Sequence, residues 1–476
     1  MKVSVIGLGK LGSPLVAVLA SKGHTVIGLD VNPDYVAALN AGRGPVQEPG
    51  LDELVFANRA RISATQDYLK AVHETDATII VVPTPSESNG FFSMKFALAA
   101  GEEIGKALKT KKAYHLVSLA STVMPGCTGG ELLPMLEKHS GKKCSVDFGL
   151  CYNPEFIALG SVIRDMLNPD FILIGESDPR AGQFLEDLYA TVCESKPRIC
   201  RMNFVNAELT KISVNTYVTT KISYANMLAE LCETLPGADV DVVTEAVGSD
   251  ARIGRKYLKG ALGFGGPCFP RDNIAWASLA RSKGVLPLLA EATDQINRHQ
   301  AERLAKKVCD RLPRGSSAAI LGLSYKAGSE VIEQSPAMAL AQTLIERGTP
   351  LVVHDPLAIK LARPVLGDKV TYAASMEEAI KKADVILLMT AWPDYKRLTP
   401  VMFAGRARKP VILDCWRLLA AEQFADVAEV LVLGKGEELE PARPLAGNHV
   451  DMSGVKNLTA KSRGGEGKPS AAGSPI

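Results

Sequence analysis

Six residues near the start of the chain, Gly7-Leu8-Gly9-Lys10-Leu11-Gly12, restrict what it can fold into. They follow a short apolar run at residues 3–6 and precede a helical pattern at 14–19. Glycines at this spacing allow a tight turn, close backbone approach to a pyrophosphate and close packing of the helix on the strand. A second apolar run ends at Asp30, whose carboxylate can accept hydrogen bonds from ribose hydroxyls and repels a 2′-phosphate. The pattern predicts a βαβ unit that binds NAD rather than NADP, although a glycine-rich turn in an unrelated α/β protein is the alternative.

The composition indicates a large protein with several domains and no nucleic-acid or membrane partner. The chain has 476 residues, 46% hydrophobic content and a formal net charge of +2. This length corresponds to about two or three domains. So small a net charge gives no electrostatic attraction for nucleic acid or an anionic membrane, and no apolar run reaches the roughly 18 residues of a membrane span.

The cysteines and the N-terminus indicate a cytoplasmic location. Nine cysteines are scattered without a C-x-x-C pair, and their odd number argues against a disulfide framework. The same scatter argues against a zinc site, so we expect no metal. Met1 leads straight into the first apolar run, which leaves no room for a signal peptide.

Alternating strand-like and helical patterns predict a doubly wound parallel sheet over residues 1–205. Further strand-like runs occur at residues 77–82, 114–119 and 171–174. Thr84 and Thr122 follow two of these runs, where loops at the carboxyl ends of strands line the ligand crevice. Both threonines are therefore placed to contact the cofactor, although threonines near prolines are also ordinary turn residues.

The rest of the chain divides into three parts. Residues 206–312 are predicted to form a helical domain, whose long helix from about 206 to 235 is suited to a dimer core. Residues 313–435 show a second α/β pattern. Because residues 322–324 do not repeat the glycine fingerprint, we expect no second dinucleotide there. Residues 436–476 turn polar, and we expect a disordered tail.

One cysteine stands among glycines and prolines, in Gly263-Phe264-Gly265-Gly266-Pro267-Cys268-Phe269-Pro270-Arg271-Asp272. These neighbours disfavour helix and strand interiors, so the thiol is expected on a shaped loop. A thiolate adds readily to a carbonyl carbon, and Arg271 would favour the thiolate form of Cys268. The alternative is a small buried hydrophobe, which most free cysteines are.

Two further segments carry candidate polar chemistry. Lys211 and Asn215 are four residues apart in the long helix and share one face. There the lysine could stabilise an alkoxide, whereas the alternative is an exposed helix lysine. Glu155, in Asn153-Pro154-Glu155-Phe156, could position water or bind substrate, and its alternative is a capping carboxylate.

Several segments together resemble the UDP-glucose/GDP-mannose dehydrogenase family. Behind the glycine fingerprint these are Asn153-Pro154-Glu155-Phe156, Glu208-Leu209-x-Lys211-x-x-x-Asn215, Arg252-Ile253-Gly254 and the cysteine segment. The resemblance covers roughly residues 1–430. It implies an N-terminal Rossmann domain that binds NAD, a central long-helix domain, a C-terminal Rossmann-like α/β domain that binds the nucleotide sugar, and a homodimer or higher homo-oligomer.

The implied reaction oxidises the primary alcohol of a nucleotide sugar, with a UDP-sugar favoured, twice to a uronate with two NAD⁺. By resemblance, Cys268 adds to the aldehyde from the first oxidation, and the thiohemiacetal becomes a thioester that water hydrolyses. Lys211 and Asn215 would stabilise the oxyanion, while Asp272 with Thr122 would act on the water and the proton transfers.

The resemblance also implies binding contacts. The residues expected to hold the cofactor are Gly7, Gly9, Leu11, Gly12, Asp30, Thr84, Thr122 and Arg271. The residues expected to contact the substrate are Glu155, Phe156, Lys211, Asn215, Tyr257, Lys259, Gly265 and Lys326, with Arg252 reaching it across a dimer interface.

Four positions depart from the family's usual charged residues: Tyr35, Leu159, Glu333 and Trp416. Tyr35 replaces a lysine or arginine after the ribose-binding acid, Leu159 a second glutamate, and the other two replace arginines. Two alternative functions therefore remain. One is a two-electron dehydrogenase of the 6-phosphogluconate or 3-hydroxy-acid kind, which needs no thiol, and the other is a catalytically silent nucleotide-sugar binding protein.

Overall fold

The computed structural model describes residues 1–313 and 315–436. They form two open α/β sheets joined by a segment of long helices, so the expected fold class is confirmed. The tail expected over residues 436–476 lies outside the described residues, apart from Gly436.

The first sheet has eight strands: β1 (Lys2–Ile6), β2 (Thr25–Leu29), β3 (Ile62–Thr65), β4 (Ala77–Ile80), β5 (His115–Leu119), β6 (Phe148–Tyr152), β7 (Phe171–Glu176) and β8 (Arg198–Met202). Their order across the sheet is β3-β2-β1-β4-β5-β6-β7-β8. Neighbouring strands are parallel except β6 and β7, which are antiparallel, contrary to the expected all-parallel sheet. The segment between β6 and β7 stays at the carboxyl end of β6, so β7 runs back toward it.

Eight helices accompany this sheet: α1 (Gly12–Ser21), α2 (Pro33–Asn40), α3 (Leu51–Asn58), α4 (Tyr68–His73), α5 (Lys95–Thr110), α6 (Leu133–Ser140), α7 (Val162–Leu167) and α8 (Pro179–Val192). Helices α1, α3 and α8 contribute to one apolar cluster, and α5 and α6 to another. The central strands are buried because apolar side chains cover both of their faces. The strand order reverses between β1 and β4, which places a crevice at their carboxyl ends.

The glycine fingerprint is the turn between β1 and α1. A Cβ added to Gly12 would lie 1.7 Å from the carbonyl oxygen of Gly7, so strand and helix pack here in direct backbone contact. Gly7 itself has a φ of +95°, and a Cβ there would meet the Val81 carbonyl at 2.2 Å. By contrast, no atom lies within 4 Å of a Cβ added to Gly9. Gly7 and Gly12 are therefore required by the fold, whereas Gly9 faces open space.

Four helices form the middle of the chain: α9 (Phe204–Thr234), α10 (Val240–Ser249), α11 (Phe269–Ser282) and α12 (Leu288–Arg311). The helix expected from about 206 to 235 is α9, which begins after Asn203, whose side chain accepts the Asn206 N–H. It packs on β7, α11 and α12 and so joins the first sheet to the other helices. In the part of the chain that the structure describes, none of the helices is both long and apolar enough to cross a membrane.

The second sheet has six strands, all parallel: β9 (Ala318–Leu321), β10 (Leu351–His354), β11 (Thr371–Tyr372), β12 (Val385–Leu388), β13 (Val411–Asp414) and β14 (Glu429–Val432). Their order is β11-β10-β9-β12-β13-β14. The accompanying α-helices are α13 (Pro336–Glu346), α14 (Ile359–Leu366) and α15 (Met376–Ile380). The sequence patterns predicted the four inner strands and missed the edge strands β11 and β14, one of which has two residues.

The C-terminal sheet domain closes onto the first one at two places. A Cβ added to Gly160 would lie 2.1 Å from the carbonyl oxygen of Gly328, so the two chain segments touch through their backbones. Lys10, inside the glycine fingerprint, lies 3.3 Å from the Glu330 carboxylate. The segment between β9 and α13, residues 322–335, therefore covers the crevice at the carboxyl end of the first sheet, and we call it the roof.

The contrast between Gly12 and Gly9 gives a test of this turn. We expect Gly12→Ala to destabilise the ligand-free protein by about 1–3 kcal/mol, because the new methyl group forces the β1–α1 packing apart. Gly9→Ala should leave the midpoint of thermal unfolding close to that of the wild type. Equal unfolding midpoints for the two variants in a thermal melt would contradict the packing described here.

Candidate active site

Seven of the predicted site residues line one cleft of about 700 Å³ beneath this roof. They are Glu155, Phe156, Lys211, Asn215, Tyr257, Cys268 and Lys326. The cleft lies between the carboxyl end of β6, the middle of α9, the start of α11 and the segment after β9. Residues far apart in the sequence are thus brought together around the cysteine.

Cys268 occupies the N-cap position of the 14-residue helix α11 and is open to the cleft. A helix N-terminus favours a negative charge, as a thiolate requires. The surrounding protein nevertheless withdraws the sulfur from bulk water, and this burial raises the pKa of the Cys268 thiol, with Asp272 adding to the effect. Lys211 and Arg271 lower that pKa. Arg271 therefore acts in the direction that the sequence predicted, but it is outweighed in the ligand-free protein.

Lys211 is a buried cleft residue rather than a solvated helix lysine. It is 6% exposed, its Nζ donates a 2.5 Å hydrogen bond to the Glu155 carbonyl oxygen, and it lies 4.5 Å from the centre of the Phe156 ring. Burial lowers the pKa of Lys211, and Asp272 opposes this. A buried ammonium of lowered pKa can both stabilise a negative oxygen and release its proton.

Asn215 lies one turn after Lys211 and connects α9 to α11. Its Nδ2 donates a 2.6 Å hydrogen bond to Oδ2 of Asp272, a carboxylate that is 1% exposed in the first turn of α11. Arg271 approaches the other carboxylate oxygen of Asp272 at 3.4 Å. The carboxylate is thus held at a fixed position four residues after Cys268, whose backbone oxygen accepts the Asp272 N–H at 2.8 Å.

Arg271 and the two threonines tie the cysteine helix to the first sheet. The Arg271 guanidinium stacks on Phe92 at 4.4 Å and donates to the Thr84 carbonyl oxygen at 2.9 Å. The Thr84 hydroxyl donates to the Thr122 carbonyl oxygen at 2.7 Å. These contacts join the loops that follow β4 and β5, which border the crevice.

Sequence reasoning assigned no role to Glu208, which supports the Thr122 loop. This glutamate is fully buried on α9, and its carboxylate accepts the backbone N–H groups of Gly126 and Thr128 at 2.6 and 2.8 Å. The signal was present, because Glu208 stands three residues before Lys211 in the segment that carries the family resemblance.

Glu155 differs from Asp272 in its surroundings. Its carboxyl group borders a small apolar cavity behind the cleft and lies 3.3 Å from the Tyr189 hydroxyl. Burial raises the pKa of Glu155 to about 7, and Lys211 partly opposes this. A carboxyl group with this pKa can exchange a proton near neutral pH, as general acid–base catalysis requires.

The residues expected to hold NAD form a suitable cradle at the carboxyl ends of β1 and β2. Asp30 accepts the N–H groups of Leu8 and Asn32 at 2.6 and 2.8 Å, and each carboxylate oxygen retains capacity for a ribose hydroxyl. Leu11 is the N-cap residue of α1, so the helix start faces the crevice, where it would attract a pyrophosphate. Gly9 leaves room for that approach. These residues fit NAD.

Three of the expected substrate residues lie outside the cleft lining. Arg252 projects into solvent with 88% of its side chain exposed and pairs with Asp250 at 2.6 Å. Lys259 is exposed. Gly265 is packed against the C-terminal domain, since a Cβ there would lie 2.3 Å from the Gln334 carbonyl oxygen.

Two of the departures from the family pattern are packing residues here. Trp416 donates from Nε1 to the Met389 carbonyl oxygen and packs on the core of the second sheet. Its neighbour Arg417, the residue that could take over the missing arginine's contact, pairs instead with Asp239 at 2.6 Å. Leu159 packs against the apolar cluster of the first sheet.

The other two departures lie near the cofactor and cysteine segments. Tyr35 packs from α2 against the apolar cluster of the first sheet. Glu333 meets the cysteine segment through its backbone, where its carbonyl oxygen accepts the Gly266 N–H at 3.0 Å.

A dinucleotide cradle next to a cleft that holds a buried lysine and a cysteine has the layout of an NAD-dependent dehydrogenase. Comparison with known families makes the class specific. Residues 1–193, 205–299 and 319–421 match the NAD binding, central and UDP binding domains of the UDP-glucose/GDP-mannose dehydrogenase family. The chain belongs to this family, and its activity is the family's NAD-dependent oxidation of nucleotide sugars.

Individual relatives agree with this assignment. A UDP-glucose 6-dehydrogenase of Haloferax volcanii is 35% identical over 430 residues, which cover 90% of this chain and 99% of the relative. A GDP-mannose 6-dehydrogenase of Pseudomonas syringae pv. tomato is 32% identical over 403 residues, covering 82% and 90%. The solved UDP-glucose dehydrogenase of Pyrobaculum islandicum superposes with a TM-score of 0.81 at 35% identity and covers 92% of this chain and 96% of that one.

The raised pKa of Glu155 predicts how stability depends on pH. The folded protein holds the Glu155 proton up to about pH 7, whereas the unfolded chain releases it near the ordinary value of 4.5. Stability contributed by this proton is therefore complete below pH 4.5 and is lost as the pH rises to about 7. Glu155→Gln has no such proton to lose.

We expect the thermal midpoint of Glu155→Gln to rise relative to that of the wild type between pH 4.5 and 7, by the equivalent of roughly 3 kcal/mol. Above pH 7 the difference between the two thermal midpoints should stay constant. Calorimetric scans of both proteins without NAD check this. A difference in midpoint that does not change between pH 4.5 and 7 would contradict the raised pKa of Glu155.

Proposed function

We propose that the chain oxidises the C6 hydroxymethyl group of a UDP-sugar to a uronate in two steps, through a thioester on Cys268. The observation that carries this proposal is that Cys268 shares one cleft with Lys211 and Asn215, next to the NAD cradle. A four-electron oxidation needs a thiol at this place, because the thiol holds the aldehyde of the first oxidation as a thiohemiacetal. The second oxidation converts the thiohemiacetal into a thioester, whose C–S bond water then cleaves.

When bound, NAD⁺ supplies the hydride acceptor for both oxidations. The proton of the C6 hydroxyl passes to Asp272, which with Thr122 serves the proton transfers. The Lys211 ammonium stabilises the alkoxide that forms, and Asn215 supports its partner oxygen. The Cys268 thiolate then adds to the aldehyde carbon, and Lys211 again neutralises the oxyanion of the thiohemiacetal. After the second oxidation the same sulfur carries the thioester.

Hydrolysis needs a group that accepts a proton from water. Asp272 has this role in the proposal, together with Thr122. The carboxylate accepts from Asn215 and Arg271, which fix its orientation in the first turn of the cysteine helix. Asp272 takes one proton from the water that adds to the thioester carbon, the Cys268 thiolate leaves, and the carboxylic acid so formed ionises to the uronate. The proton on Asp272 is then lost to solvent.

Binding roles follow from position. Lys326 reaches the cleft from the C-terminal domain, where burial lowers its pKa and Asp165 and Glu48 oppose this. A half-buried cation at the roof of the cleft suits the substrate's phosphates. Glu155, Phe156 and Tyr257 line the same space, and Lys259, Gly265 and Arg252 stay proposals as further substrate contacts.

We also propose a homodimer built on α9. Apolar side chains stay exposed at seven-residue spacing along this helix, with Tyr217, Tyr224 and Leu231 between 45% and 63% exposed. A stripe of this kind is typical of a helix that packs against a partner. The solvent-directed Arg252 would reach a neighbouring cleft only in such an assembly. All nine cysteines are free thiols, which supports the proposed cytoplasmic location.

The dimer is tested by adding a charge to the stripe. We expect sedimentation equilibrium to give a dimer for the wild type and a monomer for Leu231→Glu, because an unpaired carboxylate cannot be buried without cost in an apolar interface. Val401→Glu adds the same charge at an 81% exposed position outside α9 and should stay dimeric. A monomeric wild type would contradict the proposal.

Stoichiometry decides among the three functions. The protein is incubated with NAD⁺ and a panel of UDP- and GDP-sugars, and NADH is measured against sugar consumed. We expect two NADH for each UDP-sugar and a uronate product. One NADH would indicate the two-electron dehydrogenase, and binding without NADH the silent protein.

Cys268→Ser should abolish uronate formation with substrate affinity nearly unchanged, because a hydroxyl is a much poorer nucleophile than a thiolate near neutral pH. Cys309→Ser, at a partly buried thiol on α12, is the matched control and should retain full activity. Near wild-type turnover by Cys268→Ser would exclude the thioester route.

A further inference from the structure

A chain of three polar side chains lies behind the cleft wall and ends at Glu155. The Tyr189 hydroxyl on α8 lies 2.6 Å from Oδ1 of Asn153 and 3.3 Å from Oε1 of Glu155. Asn153 is 3% exposed and Tyr189 8% exposed. Because Asn153 and Tyr189 are buried, their polar atoms depend on hydrogen-bond partners within the protein.

The orientation of the Asn153 amide is fixed by its other contact. Its Nδ2 lies 2.9 Å from the Leu173 carbonyl oxygen, which can only accept a hydrogen bond. The amide nitrogen must therefore point toward Leu173 and the amide oxygen toward Tyr189. That oxygen is also only an acceptor, so the single hydroxyl proton of Tyr189 is directed to Asn153.

The proton on Tyr189 is then not available to Glu155. What the tyrosine presents to Glu155 is a lone pair, and a hydrogen bond across the 3.3 Å gap requires the carboxyl group to be the donor. An ionised Glu155 would either face this lone pair or draw the tyrosine proton away and leave the buried Asn153 oxygen without a partner.

Among the residues that the structure describes, no other group donates a hydrogen bond to the Glu155 carboxylate. The carboxyl side borders apolar residues of α1, α8 and β7, among them Leu15, Leu188 and Ile172. The charged and titratable groups that face it are Lys211 from α9, the Cys193 thiol after α8 and Tyr189 itself. Lys211 directs its hydrogen bond to the backbone oxygen of Glu155, not to the carboxylate.

We propose that Tyr189, oriented by Asn153, is a positioning residue that holds Glu155 as a neutral acid in the resting enzyme. Within the proposed function, on which this inference rests, Glu155 then enters the reaction as a hydrogen-bond donor and proton source rather than as a base. A neutral Glu155 also removes one of the two carboxylates that would offset the charge of Lys211, so that only Asp272 remains.

The Glu155 proton can be followed directly by NMR of protein labelled with ¹³C at the glutamate side-chain carboxyl groups, without substrate or NAD. Glu155→Gln identifies the Glu155 signal by its absence. We expect this signal to titrate near pH 7 in the wild type. In Tyr189→Phe the midpoint should fall by about 0.5–1 pH unit, because the acid loses its acceptor.

Asn153→Ala should lower the midpoint further, because the freed tyrosine proton can then turn to the carboxylate. This second variant retains the Tyr189 ring and tests the idea if Tyr189→Phe fails to fold. Tyr114→Phe removes a buried hydroxyl that has no partner among the described residues and should leave the midpoint unchanged.

A rise of the midpoint in Tyr189→Phe would show that the tyrosine donates to a carboxylate and would overturn the proposal, as would an unchanged midpoint in both Tyr189→Phe and Asn153→Ala. The titration needs no turnover, so failure of the proposed oxidation would appear in the NADH stoichiometry and leave this measurement unaffected.

Discussion

The hydrogen bond between Asn215 and Asp272 is the contact on which the site depends. It joins α9 to α11 at 2.6 Å, and it satisfies a carboxylate that is almost entirely buried. Hydrogen bonds to a charged group contribute about 1.5–3 kcal/mol, and removing one partner leaves a buried charge unsatisfied. Because Lys211 lies one turn before Asn215 and Cys268 one turn before Asp272, this bond also sets the distance between the cation and the thiol.

Three carboxyl groups near the cleft, of which Asp272 and Glu208 are buried and Glu155 is half-buried, have different partners, and those partners determine their chemistry. Asp272 has an amide and a guanidinium, which donate to its two oxygens. Glu208 has two backbone N–H groups at the start of a helical turn and serves to hold a loop. Glu155 has an apolar cavity and a hydroxyl whose proton is already used. Residue type alone therefore does not tell a proton donor, Glu155, from a proton acceptor, Asp272, or from a carboxylate that only holds a loop, Glu208.

Those differences mark the limit of what the sequence could predict. The glycine fingerprint and the Gly/Pro setting of Cys268 act over a few residues, so they indicated the first βαβ unit and a cysteine on a loop without any tertiary information. The sharing of one cleft by Cys268 and Lys211 followed from the family resemblance alone. Tyr189 and Arg417 gave no local signal, because their partners lie 34 or more residues away in sequence. Edge strands such as β11 were missed because two residues cannot show a period.

The C-terminal domain takes part in shaping the nucleophile's loop. A Cβ added to Gly266 would meet the Tyr325 ring at 2.6 Å. The backbone N–H of Gly266 donates to the Glu333 carbonyl oxygen at 3.0 Å. The backbone just before Cys268 is thus held by the same segment that carries Lys326 into the cleft. Glycine is required at position 266 because its φ is +83° and a side chain there would collide with the Tyr325 ring. The loop that carries the thiol is thus shaped against the C-terminal domain. Binding of the substrate's phosphates under that roof and placement of the sulfur are therefore coupled through one short segment.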